Sequence, residues 1–239
     1  MKLPMSLRAK AGVCAVAATL LLGGCATGPQ ANPQDPLEPL NRAVYQFNDG
    51  VDRAVVKPVA MAYRDTLPSP VRTGVNNFFG NLRDVWSALN ALLQARPREA
   101  AENFMRFNVN TVFGLGGLLD VATEMGIERT TLDFGHTLGR WGVPSGPYLM
   151  LPLLGPSTVR DTAALPVDSQ ADPVGELDHV ATRNSLQVLR ITDKRATLLG
   201  AGEVLDQAAL DPYSFVRDAY LQRRENRIGH SEPEERYDQ

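Results

Sequence analysis

The chain has 239 residues, of which 24 are basic and 27 acidic, with 44% hydrophobic residues and two cysteines. A net charge of −3 leaves no basic surplus for nucleic acid, and an acidic protein gains nothing from general attraction to anionic lipid. Two cysteines exclude a multi-disulfide scaffold and a cysteine-based metal site.

The first element is a leader. Lys2, Arg8 and Lys10 precede an apolar run from Ala11 to Leu22, too short for a mature membrane span. Leu21-Leu22-Gly23-Gly24-Cys25 then resembles a bacterial lipobox. Residues 1–24 are therefore read as a signal peptide, and Cys25 as the acylated first residue of the mature chain. Acyl chains such as palmitate contribute roughly 0.8 kcal/mol per buried methylene, and more than one chain anchors stably. Position 26 is Ala rather than Asp, which points to sorting to the outer membrane. Cys14 leaves with the leader, so no disulfide is possible. The mature chain carries 21 basic and 27 acidic residues, a net of −6.

Residues 25–34 form a lipidated tether, and the body begins at Asp35. Leu40, Val44, Phe47, Val51 and Val55 recur at three- and four-residue steps and predict a helix to about Asp65, interrupted near Lys57-Pro58. Ser69-Pro70 reads as an N-cap with proline at the first helical position. A short helix stopping near Gly80 follows. The next helix, Asn81 to Ala95, should turn Val85, Trp86, Leu89, Leu92 and Leu93 inward. Pro97 starts another, with Ala100, Ala101, Phe104, Phe107 and Val112 on its apolar face. That helix runs into the uncharged stretch Phe107 to Leu119, FNVNTVFGLGGLL. Two readings stay open for it: a buried helix with a glycine C-cap, or a segment in contact with lipid.

Trp141 to Val159 is also uncharged, but four prolines and three glycines block regular helix. Backbone without helical bonding cannot face hydrocarbon unless protein or water satisfies it, so this stretch should be a nonhelical apolar loop on protein or lining a cavity. Helical patterning returns from about Val174, with Val180, Leu186, Leu189 and Ile191 leading into a helix from Ala196 to Ala209, and again after Asp211-Pro212. Residues 223–239 are largely charged and read as a solvated, disordered tail. Strand signals are weak throughout, so the class is mainly α.

Catalytic signals are thin. His136, His179 and His230 have no partner at metal-ligand spacing, and no metal site is expected. Ser145 lacks the G-x-S-x-G frame; a hydrolase of Ser145, His136 and Asp133 or Asp161 is a minor alternative. Gly114-Leu115-Gly116-Gly117 is not a phosphate loop. No enzymatic activity is expected.

Several segments resemble the MlaA/VacJ lipoproteins: Asp35 to Arg42 (DPLEPLNR), Tyr45 to Asn48 (YQFN), Arg106 to Ala122, Phe134 to Asp161, and Asp211-Pro212-Tyr213 with Arg217, Ala219 and Tyr220. The resemblance covers about residues 35–224. It implies short amphipathic helices forming a ring-like body in the periplasmic leaflet of the outer membrane, with a Gly/Pro-rich loop. It implies removal of mislocalised phospholipid from the outer leaflet through an amphipathic channel and delivery to a soluble periplasmic carrier (MlaC-like), in association with trimeric porins. No cofactor is implied beyond phospholipid as cargo. Matched by motif position, the channel candidates are Arg106, Phe107, Asn108, Val109, Asn110, Phe113, Leu115, Leu118 and Arg140. The first arginine, the asparagines and Arg140 would serve the headgroup. Gly142 and Gly146 are the hinge candidates, although Val143-Pro144 between them stiffens the loop. The competing reading is a structural or adhesive outer-membrane lipoprotein without transport.

Overall fold

The computed structural model describes residues 32–229, so Cys25, the leader and most of the tether lie outside the described residues. Helix α1 (Glu38–Val51) passes through a π turn, Asp52–Val56, into α2 (Lys57–Thr66). The expected interruption at Pro58 takes this form: a locally wider turn absorbs the hydrogen bond that proline cannot donate.

The two short helices expected around Gly80 are one helix, α3 (Ser69–Leu93). Gly80 is not a stop. A β-carbon there would lie 2.7 Å from Nη1 of Arg129, so the glycine makes room for a crossing side chain. Ser69 is the first helical residue rather than a side-chain cap. A tight turn through Ala95 (φ 56°) leads into α4 (Pro97–Val112). Alanines bring α3 and α4 close: Ala91 and Ala100 are buried together against Leu132.

After the glycine turn come α5 (Val121–Glu124) and α6 (Phe134–Arg140), each started by an aspartate cap. Asp120 accepts from the Thr123 amide, and Asp133 forms a capping box with His136. The stretch expected to lack regular structure contains a two-stranded antiparallel hairpin, β1 (Tyr148–Leu151) and β2 (Gly155–Thr158), with Tyr148 opposite Thr158. Then follow α7 (Val159–Gln170), α8 (Val180–Thr197), α9 (Leu199–Ala208) and α10 (Pro212–Gly229). The last helix continues through positions 223–229, which composition assigns to a disordered tail. Long-range ion pairs hold it: Arg224 donates to Asp133 and Asp161.

The placement of apolar residues is the reverse of the expected one. Val85, Leu89, Leu92 and Leu93 point outward, with Leu92 61% exposed, while Asn81, Asp84, Ser87 and Asn90 on the same helix are buried. On α1, Leu40 and Phe47 are exposed and Asn41 is buried. On α4, Phe104 and Val112 are exposed, whereas Asn103, Arg106 and Asn110 are buried. Among the described residues, buried polar or charged side chains outnumber buried apolar ones, and half of the apolar ones are alanine. In an ordinary aqueous protein the buried positions are mostly apolar.

Candidate functional site

The glycine turn is built on one arginine. Arg106, 1% exposed, donates both Nη2 bonds to Asp120 at 2.6 and 2.7 Å, and its Nη1 donates to Thr123 Oγ1 and the Ile127 carbonyl. Its Nε lies 3.6 Å from Asp84, which is itself gripped by Arg129. Asn110 donates to Asp120 and accepts from the Ala122 amide. Burial alone would raise the Asp120 pKa, but hydrogen bonds from Thr123, Asn110 and Arg106 outweigh it and bring the carboxyl to about 2. Arg106 and Asn110 therefore do not offer their polar groups to a headgroup, as motif position suggests. Those groups are spent internally, closing the loop between α4 and α5.

What this network presents outward is apolar. Phe113 and Leu115 are each 70% exposed, Leu118 is exposed, and Phe107 and Val109 are half-buried. Leu115 sits in the left-handed region (φ 55°), a conformation that costs a non-glycine residue about 1 kcal/mol. Gly114 allows the turn to close, since a β-carbon there would lie 2.3 Å from the Leu119 carbonyl oxygen. Asn108 is exposed and donates to the Phe104 carbonyl of its own helix. Arg140 is exposed at the end of α6.

The hairpin is clamped by two side-chain amides seven residues apart on α1. Asn41 donates to the Tyr148 carbonyl and accepts from the Met150 amide, at 3.0 and 2.8 Å. Asn48 does the same for the Leu151 carbonyl and the Leu153 amide, at 2.9 and 2.8 Å. Each amide thus takes the place of a neighbouring strand, which is how a proline-rich segment forms a strand without a larger sheet. Both asparagines are in the matched motifs, but their role was not legible there; the seven-residue spacing, two helical turns on one face, is the available signal. Gly142 (φ 92°) and Gly146 (φ 66°) bracket the loop ahead of the hairpin. A β-carbon at Gly142 would meet nothing within 4 Å, so that position is constrained by backbone angle alone.

The hydrolase alternative finds no support in the geometry. His136 is buried and bonded to Asp133 and Arg224, while Ser145 is exposed. His136 and Asp133 cap a helix. Among the described residues no group of acidic, histidine or cysteine side chains could hold a metal ion, and no helix is long and apolar enough to cross a membrane. Outside the segments that resemble the lipoprotein family, a mostly apolar groove of about 680 Å³ runs between α2 and α8, past Val59, Tyr63, Leu67, Val188 and Leu189.

The fold and this site define a mainly α-helical protein with a polar, ion-paired interior and an apolar perimeter. The chain belongs to the MlaA lipoprotein family, whose model matches residues 33–227. It is 40% identical over 211 residues to the intermembrane phospholipid transport system lipoprotein MlaA of Escherichia coli (strain K12), covering 86% of this chain and 83% of that protein. It is 34% identical over 225 residues to the protein of the same name from Haemophilus influenzae, covering 90% and 89%. A chain solved in work on the structural basis for maintenance of bacterial outer membrane lipid asymmetry superposes with a TM-score of 0.71 at 38% identity, covering 81% of this chain and 98% of that one.

Proposed function

We propose that this protein is an outer-membrane lipoprotein, acylated on Cys25, that removes mislocalised phospholipid from the outer leaflet and passes it to a soluble periplasmic carrier. The observation that carries the reading is the reversed helix polarity: Leu89, Leu92, Phe104, Val112, Phe113 and Leu115 face outward while Asn81, Asp84, Asn103 and Arg106 are buried. An apolar perimeter of this kind is stable when lipid covers it and costly when water does. The relatives' names support phospholipid as cargo.

In this reading the helices lie flat in the periplasmic leaflet as a ring around an amphipathic passage. The exposed turn at Phe113, Leu115 and Leu118 sits among acyl chains, and Phe107 and Val109 line its approach. The loop hinged at Gly142 and Gly146 forms a movable wall. Trimeric porins hold the ring at the membrane, and a carrier of the MlaC type takes the lipid away. No bond in the lipid is made or broken, and no cofactor is used.

Purification in mild detergent, followed by mass spectrometry of bound lipid, tests the cargo. Phospholipid at about one per protein is expected. Lipid-free protein that acquires none on incubation with phospholipid micelles would overturn the reading.

A further inference from the structure

The groove between α2 and α8 is held in shape by the contacts beneath it. Ala60 of α2 is buried with Ala196 and Leu199, and Tyr63 packs against them. The Tyr63 hydroxyl donates to one carboxylate oxygen of Asp193 at 3.0 Å, and Asn76 of α3 donates to the other at 3.1 Å. Arg195 donates to both oxygens of Asp52, at 2.8 and 2.7 Å, and so fixes α8 against the π turn. The polar groups of this seam are used up behind the groove. Its walls are chiefly Val59, Leu67, Val188 and Leu189, and no charged residue lines it. Asn184 to Thr192 along one wall gives it a length of about 12 Å. Val55, about one turn before Val59 and exposed, extends the apolar wall further.

The two ends of the groove differ. Away from the Ala60–Ala196 contact, Thr66, Asn184 and Ser185 bring hydroxyl and amide groups to the lining. A cation stands beside Leu67 at that end. Arg72, half-buried in the first turn of α3, donates its Nε to the Leu67 carbonyl at 3.2 Å. Its two terminal guanidinium nitrogens make no bond and no ion pair among the described residues. Asp65 is close enough to feel Arg72, but its carboxylate is bonded to Arg64 at 2.8 Å. An uncharged apolar trough with a free guanidinium fork at one end matches an anionic amphiphile. The trough takes a hydrocarbon chain, and the fork suits two phosphate oxygens. A partner helix would bring a charged rim, for which these walls hold no charged partner.

We infer that the groove between α2 and α8 binds one acyl chain of a phospholipid, and that Arg72 holds the phosphate of the same molecule. The inference rests on the transport reading for the identity of the lipid, and on the groove and the free fork of Arg72 for its place. A volume of about 680 Å³ lies within the roughly 300–1,000 Å³ of clefts that hold small molecules. Covering Val188, 61% exposed, and Val59, 47% exposed, removes apolar surface from water and favours the bound chain. The groove thus holds a single lipid molecule apart from the turn at Phe113 and Leu115.

The test is photolabelling of the full-length acylated protein in detergent with a phosphatidylglycerol that carries a diazirine in one acyl chain. A diacylglycerol with the same chain is used separately. Adducts are mapped by mass spectrometry and expressed relative to those at residues 113–118, which report general lipid contact. The phosphatidylglycerol probe should label residues 59–67 and 185–192 of the wild type. Ala62→Trp and Val188→Trp fill the groove from opposite walls, and each should lower that labelling about tenfold or more. Both positions are exposed, so melting temperatures should hold. Arg72→Gln should lower labelling by the phosphatidylglycerol probe about tenfold, since a hydrogen bond to a charged group is worth roughly one decade or more. It should leave the diacylglycerol labelling unchanged, and Arg72→Lys should restore most of the loss. If the turn is labelled and the groove is not, or if neither tryptophan lowers groove labelling, the groove assignment is wrong and the transport reading stands. If the protein carries no phospholipid after purification and is labelled nowhere, the transport reading falls and this assignment with it. Groove labelling seen only in protein beginning at residue 26 would make the acyl chain on Cys25 the occupant and overturn the inference. Equal labelling by both probes in the wild type, or a lower melting temperature in Arg72→Gln, would overturn the role of Arg72.

Discussion

The guanidinium of Arg106 meets the carboxylate of Asp120 through two bonds of 2.6 and 2.7 Å, joining α4 to the cap of α5 across the glycine turn. Everything the turn exposes, Phe113 and Leu115 above all, is positioned by this buried pair. Removing one partner strands a charge in the interior, at a cost of about 3–5 kcal/mol. Arg106→Met should therefore lower the unfolding free energy by about that amount, and a double-mutant cycle with Asp120→Asn should show strong coupling. Urea unfolding measures both; additive effects would mean that the pair does not hold the turn.

The same pair sets a pH dependence. Asp120 has its carboxyl lowered to about 2 in the fold, from an ordinary value of 3.8. A depressed carboxylate stabilises the fold above its unfolded pKa, and that contribution disappears as pH falls through the folded value. The loss amounts to about 2 kcal/mol between roughly pH 5 and pH 2. Asp133 and Asp161 are lowered as well, against the effect of burial, by His136 and Arg224 for the first and by Arg224 and Tyr220 for the second, and add in the same direction. Asp120→Asn should start less stable at pH 7 and lose less on acidification, which melting curves across that range record.

Asn41 and Asn48 make the hairpin depend on α1. Asn41→Leu keeps the branching and heavy-atom count of the side chain, at a somewhat larger volume, but leaves the Tyr148 carbonyl and the Met150 amide without their partner in a buried site. The expected loss is about 2–4 kcal/mol. Hydrogen exchange should localise it: the Met150 amide should exchange faster, while amides in the middle of α4 should be unchanged. Uniform acceleration would assign Asn41 a global role instead.

How much of this was legible beforehand divides along a physical line. Helical periodicity showed which residues share a face, and α1 and α4 lie where the stripes place them, whereas the pattern from about Val174 to Ala209 is divided between α8 and α9 at Leu198. It could not show which face is inside, because a stripe of Val85, Leu89 and Leu92 looks the same whether it meets a core or lipid. The interruption near Pro58, which takes the form of the π turn Asp52–Val56 just before it, was visible because proline acts locally. Gly80 misled because its reason, the Arg129 side chain, comes from forty-nine residues away. The end of α10 was hidden similarly, since Asp133 and Asp161 hold Arg224 from a distance in sequence. The uncharged turn exposes Phe113 and Leu115, while Arg106 and Asn110 beside it bond Asp120, a partnership that lies ten to fourteen residues further along the chain.

The apolar perimeter predicts membrane binding without the acyl anchor. Protein beginning at residue 26 should float with phospholipid vesicles. Phe104→Glu/Phe113→Glu should reduce that binding by roughly tenfold or more, as each exposed phenyl ring contributes about 1.5–3 kcal/mol when lipid covers it. Both residues are exposed, at 60% and 70%, so unfolding free energy in detergent should change little. Unchanged flotation would show that the outward stripe is not the lipid-facing surface.

The most direct measurement of the central claim is the amount of phospholipid in the outer leaflet of cells lacking this protein, assayed with a surface-restricted lipid-modifying probe. Deletion should raise it, the wild-type chain should restore it, and Leu115→Asp should fail to restore it while still reaching the outer membrane. An outer leaflet as free of phospholipid in the deletion strain as in its parent would contradict the account.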